Sequence, residues 1–302
     1  MTFEEFITKF ATEEQCRDFL YQLRFPNDFI CPKCKNTKAW SIGKTLFECS
    51  QCGHQTSVIA GTIFQDTRTP LKTWFTAIWW VTTQKNGASA MGLQRVLGLK
   101  SYKTAWTWLH KIRRAMVHPD RTKLSGIVEV DEAYIGGEEN GGKPGRGTEN
   151  KTLVAIAVEL QDNRRLGRTR LEVVANASKE SLRGFIRNNV EKGSTIISDG
   201  WKSYVSLPDD GYKHIAHLKK DAKSKDDLLP HVHMIIAHLK RWLLGTHQGA
   251  VSEKHLQAYL NEYVFRFNRR KSAQRGLLFY RLLECAMLVS PITLNELLDN
   301  NV

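Results

Sequence analysis

The chain has 302 residues, 41% hydrophobic, 25% charged and 10% aromatic, so it can bury cores in one large domain or two to three modest ones. This composition excludes collagenous, disordered and disulfide-dense proteins, and no apolar stretch approaches the roughly 20 residues that span a bilayer. Lysine and arginine outnumber aspartate and glutamate by 44 to 31, and the net charge of +13 predicts an anionic partner.

The N-terminal 25 residues form an acidic, amphipathic segment, which we expect to be helical. This segment lacks the basic start and the long apolar run of a secretory signal. Together with the absence of a membrane-spanning stretch, it predicts a cytoplasmic protein without a membrane partner.

Four of the six cysteines form two close pairs, Cys31 with Cys34 and Cys49 with Cys52. Each pair has the two-residue spacing that lets a tight turn present two thiolates to one ion, and the 14 residues between the pairs suffice for a short hairpin. The sequence therefore predicts a zinc ribbon with a structural Zn²⁺ bound by all four cysteines. Four reduced cysteines without a metal are the alternative.

Apolar spacing predicts a helix over residues 70–84, a short helix over 88–97 and a basic amphipathic helix over 101–116, with Ser101 as N-cap of the last. A glycine-containing turn separates the last two. A short helix, a turn and a basic second helix indicate a helix-turn-helix-like region that binds DNA. A packed helical hairpin with a solvated basic face is the alternative.

From residue 126 the hydrophobic pattern changes to the two-residue period of strands. Three strand-like segments rich in Val and Ile precede a helix over 178–190 and a buried strand at 194–200, and three further helices follow over about 231–244, 252–266 and 276–289. This order, β-β-β-α-β and then helices, is that of a ribonuclease H-like core. The predicted fold class is therefore an α/β multi-domain protein with a mixed-sheet core and C-terminal helices.

In such a core, the first strand and the end of the fourth strand lie close together. Asp131 lies on the first predicted strand, and Asp199 ends the fourth. Phosphoryl transfer at DNA needs paired carboxylates that bind divalent ions such as Mg²⁺ or Mn²⁺. Glu129 shares the face of Asp131 and is a reserve ligand, whereas Glu132 points to the other face.

The sequence resembles the DDE-type insertion-sequence transposases, closely the ISXO-type group that joins an N-terminal zinc ribbon to a ribonuclease H-like catalytic domain. The matching segments run from about residue 15 to 290 and are CPKC, CSQCGH, VEVDEAYIGG, GRGTENK, IISDGWKSY, LKRWLLGTH and YLNEYVFRFNRR. The resemblance implies hydrolysis at transposon ends and joining of the freed 3′-hydroxyl to target DNA.

The resemblance also implies a third catalytic position, which falls on His233 instead of a glutamate, 34 residues after Asp199. Lys240 lies seven residues later on the same helical face and is expected to hold a phosphate. We therefore predict Asp131, Asp199 and His233 as catalytic and metal-binding residues, with Lys240 beside them. Imidazole binds Mn²⁺ better than Mg²⁺, so His233 either shifts the metal preference, weakens the second metal site or acts as a general base. A helix-edge histidine without a role is the alternative.

Basic residues accompany both the predicted helix-turn-helix and the predicted catalytic site. The candidate DNA contacts are Lys103, Arg113, Arg114, Lys143, Arg146, Lys240, Arg241, Arg269 and Arg270. Trp201 and Tyr204 follow Asp199 and carry rings that could stack on an unpaired base.

The expected domains are a helical segment, the zinc ribbon, the helical DNA-binding region and the catalytic domain, at residues 1–25, 26–60, 68–122 and 125–290. The leading hypothesis is a DNA transposase whose partners are terminal inverted repeats and target DNA, acting as a homodimer or larger assembly in a prokaryotic, nucleoid-associated setting. The alternatives are a non-catalytic DNA-binding regulator derived from a decayed transposase, and a nuclease or resolvase that cleaves without joining strands. Divalent-metal dependence separates the first alternative from a transposase, and strand-transfer products separate the second.

Overall fold

The computed structural model describes residues 1–136, 151–161, 165–218, 228–248, 251–272, 274 and 276–299. The chain forms two compact units, the first from Met1–Pro119 with Ser272–Asp299 and the second from Asp120–Lys271. Among the described residues, no helix has both the length and the apolar character needed to cross a membrane.

Both units mix helices and strands. The helices are α1 (Phe3–Lys9), α2 (Glu13–Arg24), α3 (Leu71–Thr83), α4 (Ala90–Leu97), α5 (Tyr102–Ala115), α6 (Lys179–Asn189), α7 (Pro230–His247), α8 (Glu253–Asn268), α9 (Gly276–Leu288) and α10 (Leu294–Asp299). The strands are β1 (Ala39–Ile42), β2 (Leu46–Cys49), β3 (Gln55–Ser57), β4 (Ile127–Gly136), β5 (Lys151–Gln161), β6 (Arg165–Val173), β7 (Thr195–Ser198) and β8 (Lys213–Ala216).

The N-terminal segment is helical as predicted, and local sequence explains where its helices start. Thr2 caps α1 and Thr12 caps α2, each in a capping box with a side chain three residues later, Glu5 and Gln15 respectively. The three helices predicted over residues 70–116 are present as α3, α4 and α5. Gly98 ends α4 in the left-handed conformation at φ 62°, which explains the turn before α5.

The hairpin expected between the two cysteine pairs is also present. Strands β1, β2 and β3 form an antiparallel sheet in that order, and β1 and β2 are the arms of the hairpin. Its small core contains Phe25 and Phe29 with Cys31 and Cys49. So few apolar side chains indicate that this sheet needs a further source of stability.

Helix α9 packs within the first unit. Its residue Phe279 contacts Phe6, Phe10 and Phe75, with ring centroids 5.5, 5.5 and 5.8 Å apart. The sequence-based boundary instead grouped all residues from 125 to 290 with the catalytic domain. An apolar helix face does not reveal which unit it will cover, because that choice depends on contacts distant in sequence.

The second unit contains a five-stranded mixed sheet in the order β6-β5-β4-β7-β8. Strands β4, β5 and β6 form the predicted antiparallel meander, whereas β4 pairs in parallel with β7, and β7 with β8. Helix α6 contributes to the core on one face of the sheet, and helices α7 and α8 to the core on the other. Burial on both faces explains the continuous apolar run of β5.

Strand β8 was not expected from the sequence. It is a four-residue edge strand in which only one residue is even partly buried, so it has no apolar alternation to reveal it. It pairs with β7 along the whole length of that strand, from Thr195 to Ser198, and Asp199 follows directly after the last pair.

Candidate active site and metal centre

The four paired cysteines converge at the ribbon. Their sulfur atoms all lie within 4.8 Å of one another, with 3.7 Å between Cys31 and Cys52 and 3.5 Å between Cys34 and Cys49. Tetrahedral zinc with Zn–S bonds of about 2.3 Å requires sulfur atoms about 3.8 Å apart. The cluster therefore has the size and the donor set of a structural zinc site.

Equivalent tight turns present the two pairs. The N–H of Lys35 donates to the carbonyl of Cys31, and the N–H of Gly53 donates to the carbonyl of Cys49, each at 3.0 Å. Lys35 and Gly53 both have φ 65°, which the glycine adopts without strain. This repetition explains why each pair needs the same two-residue spacing.

The surroundings of Cys49 favour the thiolate form of its side chain. Burial opposes its ionisation, but the backbone N–H groups of Cys52 and Gln51 donate to its sulfur and favour the thiolate. The side-chain amide of Asn36 also donates to this sulfur, at 3.6 Å. The result is a pKa of about 6, so Cys49 is mostly a thiolate at neutral pH, which is the form that binds zinc.

Asp131 and His233 meet at the interface of β4 and α7. Oδ2 of Asp131 lies 3.1 Å from Nε2 of His233, and the two side chains are 16% and 47% exposed. The carboxylate is therefore held in the sheet, while the imidazole borders solvent. This is an arrangement that a substrate can approach from outside.

Asp199 lies at the end of the neighbouring strand. Strands β4 and β7 run parallel, and their last paired residues are Glu129 and Ile197. Asp131 and Asp199 each follow two residues later, so the register gives them equivalent positions on neighbouring strands, where β7 has ended. Asp199 is exposed, and its Oδ1 accepts a hydrogen bond from the N–H of Trp201 at 3.0 Å.

The electrostatics of Asp131 favour a cation nearby. Burial raises its pKa and the charge of Asp199 raises it further, while the N–H of Glu132 and the imidazole of His233 oppose this rise. The net shift of the Asp131 pKa is upward, so the surrounding hydrogen-bond donors do not fully offset burial and the negative charge of Asp199. A divalent cation would supply this missing positive charge, so the residues present fit such an ion.

Two carboxylates beside Asp131 have structural partners that the sequence did not reveal. Glu129 is buried and accepts hydrogen bonds from the first turn of α7, so it is not available as the reserve ligand that strand alternation suggested. Glu132 lies on the opposite face, as expected, and its Oε2 accepts a hydrogen bond from the hydroxyl of Tyr204 at 2.8 Å. Alternation along β4 predicts the faces, but the partners come from segments 70 or more residues away.

Ser198 organises the turn that carries Asp199. Its buried hydroxyl lies 2.9 Å from Nε2 of His214 on β8 and accepts a hydrogen bond from the N–H of Gly200 at 3.3 Å. Burial lowers the pKa of His214, which favours the neutral imidazole. Only the pairing of β7 with β8 brings Ser198 and His214 together, and β8 is the strand that the sequence did not indicate.

We expect Gly200→Ala to destabilise the second unit by about 2 kcal/mol or more, because Gly200 has φ +81° and an added Cβ would collide with Leu218. Gly193→Ala is the matched control, since Gly193 has φ +86° with open space around it and should lose only about 1 kcal/mol. Urea unfolding of the two variants measures both losses. Equal losses would show that backbone strain alone, without the contact to Leu218, sets the cost.

The exposed members of the predicted DNA-binding set are Lys103, Lys240 and Arg241. Lys103 lies in the first turn of α5, where the N-terminal residues of a recognition helix would meet bases. Lys240 and Arg241 lie on α7, with Lys240 two turns beyond His233. Two further candidates, Lys143 and Arg146, fall outside the described residues.

Two arginines predicted to contact DNA are bound within the fold. Arg113 is 2% exposed and its guanidinium donates to the carbonyl of Ala88 at 3.0 Å, so its assignment as a DNA contact is wrong. Arg270 donates to the carbonyls of Gly167 and Leu166 and thereby ties the end of α8 to β6. Periodicity located both helices, but it did not show that these two guanidinium groups donate hydrogen bonds to backbone carbonyls inside the protein.

The two remaining arginines of the set are partly buried. Arg114 is half-buried, and burial lowers its pKa. Arg269 lies over the ring of Phe265 at 4.1 Å and donates to the carbonyl of the same residue at 3.3 Å. Both retain partial exposure, so a DNA contact would use only part of each guanidinium.

The two aromatic residues after Asp199 have different environments. Tyr204 is fully buried, so it cannot stack on a base and its predicted role is wrong. Trp201 is 37% exposed, and its indole N–H donates to the carbonyl of Ala177 at 3.3 Å. Trp201 therefore presents a ring of fixed orientation beside Asp199.

Comparison with known proteins gives two family matches. Residues 123–268 match the ISXO2-like transposase domain, and residues 11–55 match the transposase zinc-ribbon domain. The chain is also similar to a protein of Halobacterium salinarum described as an uncharacterized protein in transposable element ISH50. The two are 26% identical over 282 residues, which cover 86% of this chain and 92% of the relative. The carboxylates and His233 fall in the first match and the four cysteines in the second.

Proposed function

Because the chain belongs to the ISXO2-like family of insertion-sequence transposases, we propose that it cuts the ends of its element and joins the freed 3′-hydroxyl to target DNA by divalent-metal-dependent phosphoryl transfer. The observation that carries this proposal is the convergence of Asp131, Asp199 and His233 from β4, the end of β7 and α7. Three separate elements supply one potential metal-binding side chain each. That is what a site for metal-assisted chemistry on a phosphodiester requires.

We propose a ribonuclease H-like core for the second unit. Its support is the sheet order, in which a three-stranded antiparallel meander continues across α6 into parallel strands. In the first unit we propose a zinc ribbon over 26–60 and a helix-turn-helix over 68–122, the latter supported by the lengths of α4 and α5 and by the Gly98 turn. Both would bind the terminal inverted repeats.

In the proposed reaction, Asp131, Asp199 and His233 hold the divalent ion, Mg²⁺ or Mn²⁺. When bound, a divalent ion would supply positive charge that stabilises the transition state at the scissile phosphate. Lys240 and Arg241 bind the DNA backbone next to that phosphate. The hydrogen bond from the Trp201 N–H holds the Asp199 carboxylate in place. Since two transposon ends must be held together, we propose a homodimer or larger assembly on DNA, acting in a prokaryotic cytoplasm.

One observation favours a second candidate function, a DNA-binding regulator without catalysis. His233 places an imidazole where the resemblance implies a carboxylate, as a decayed active site would. Incubation of the protein with a labelled duplex that carries the inverted repeat, in Mg²⁺ and separately in Mn²⁺, distinguishes the two. Metal-dependent nicks at the repeat boundary and strand-transfer products support the transposase. Tight binding without a cut in either metal supports the regulator, and cuts without joining support a nuclease.

We expect His233→Glu to shift the metal preference from Mn²⁺ toward Mg²⁺, because a carboxylate oxygen suits the harder Mg²⁺ ion better than an imidazole nitrogen does. The measurement is the ratio of nicking rates in the two metals. His238→Glu is the matched control, since it makes the same substitution at an exposed position of α7. An unchanged ratio in His233→Glu would remove His233 from the metal site.

A further inference from the structure

Glu129 joins β4 to the beginning of α7. Glu129 is only 4% exposed. Its Oε2 accepts hydrogen bonds from the backbone N–H groups of His231 and Val232, both at 2.9 Å. Its Oε1 lies 2.6 Å from Nδ1 of His231. Three groups of α7 thus converge on one carboxylate that stands two residues before Asp131.

No side chain at the N-cap position of helix α7 caps it by a hydrogen bond in the part of the chain that the structure describes. Its N-cap residue is Leu229, whose apolar side chain cannot accept a hydrogen bond, and Pro230 occupies the first turn. The backbone N–H groups that follow would be buried against the sheet without an acceptor. Glu129 supplies that acceptor from another element, and the partial positive charge of the helix N-terminus favours its carboxylate.

The contacts of β4 with α7 form two successive pairs. Glu129 pairs with His231, and two residues further along both elements Asp131 pairs with His233. In the first pair Glu129 is buried and His231 partly buried, whereas the second pair borders solvent. The first pair therefore fixes the position and rotation of the helix that carries the second pair.

We propose that Glu129 is a positioning residue that docks the first turn of α7 on β4 and thereby sets His233 beside Asp131. This docking follows from the contacts themselves, while its consequence for metal binding rests on the proposed function. Glu129 is not itself a ligand, because donors from α7 already occupy both of its oxygens.

The test uses Glu129→Gln in the full chain, because glutamine keeps the size of the side chain and one acceptor oxygen. We expect faster amide hydrogen exchange over residues 229–236 and an affinity for Mn²⁺ about tenfold weaker, as is typical when the partner of a metal site is lost. Glu159→Gln is the matched control. Glu159 is a buried carboxylate of the same sheet, but it pairs with Arg168 and donors outside α7. It should change neither readout.

A double variant separates positioning from a general loss of stability. If Glu129 acts through His233, then Glu129→Gln added to His233→Ala should weaken Mn²⁺ binding no further than His233→Ala alone. Additive losses, or unchanged exchange over 229–236 in Glu129→Gln, would overturn the proposal. If the wild-type protein binds no Mn²⁺ and nicks no DNA, the proposed function fails, while hydrogen exchange still decides whether Glu129 docks α7.

Discussion

Asp131→Asn and Asp199→Asn are each expected to reduce strand cleavage at least about a thousandfold, equivalent to about 4 kcal/mol of transition-state stabilisation. The reason is that both carboxylates belong to the proposed metal site, and a neutral amide would hold a divalent ion there far more weakly. The measurement is single-turnover nicking of the repeat duplex in saturating metal. Near wild-type nicking in either variant would remove that residue from the site.

The same substitution at Asp131 should leave the protein as stable as before or more stable. Burial and the charge of Asp199 raise the pKa of Asp131, so the folded state disfavours its ionised form. An acid whose pKa is raised by folding makes the protein less stable as the pH rises from its unfolded-state pKa through its folded-state pKa. Asparagine removes the charge and keeps an acceptor for the N–H of Glu132. A Tm equal to or above that of the wild type would therefore accompany the loss of cleavage.

Cys49→Ser is expected to release zinc and to unfold the ribbon. The buried core of this small sheet is two phenylalanines and two cysteines, with Tyr21 and Phe47 packed against it. We therefore expect metal binding, worth about 10–16 kcal/mol in zinc-finger peptides, to supply most of its stability. Zinc content should fall from one ion per chain toward none, and amide exchange over residues 29–57 should approach that of an unfolded chain. Chelation of the wild-type protein should give the same result.

Cys16→Ser is the matched control for this experiment. Cys16 is also fully buried, but it lies outside the cluster, and burial raises the pKa of its thiol to about 12, which marks it as an uncharged core residue. We expect a modest loss of stability and an unchanged zinc content. A Cys49→Ser protein with one zinc per chain and a protected ribbon would contradict the four-cysteine site.

Local patterns were sufficient to predict the ribbon, most helices and the meander of the second unit. Paired cysteines, capping residues and apolar periods act over a few residues, so they can be recognised in the sequence. The face of Asp131 on β4 was predictable for the same reason, because strand side chains alternate. These features determine which residues are available for chemistry.

Contacts between distant segments were not predictable in this way. The sequence shows that Arg113, Glu129 and Tyr204 are polar, but their burial depends on partners contributed by other elements. A charged residue on an amphipathic helix looks the same whether it meets DNA or a carbonyl group within the fold. This is why Arg113 was assigned to DNA, and why the role of Glu129 at the start of α7 was found only in the structure.

The packing of α9 against α1 and α3 has a consequence for synthesis of the protein. The second unit is an insertion between two parts of the first, so a ribosome completes residues 120–271 before it reaches the helix that carries Phe279. The inserted unit can then fold before Phe279 is available to pack against Phe6, Phe10 and Phe75. A premature stop codon after residue 271 would therefore damage the unit that begins the chain and spare the one that precedes the stop.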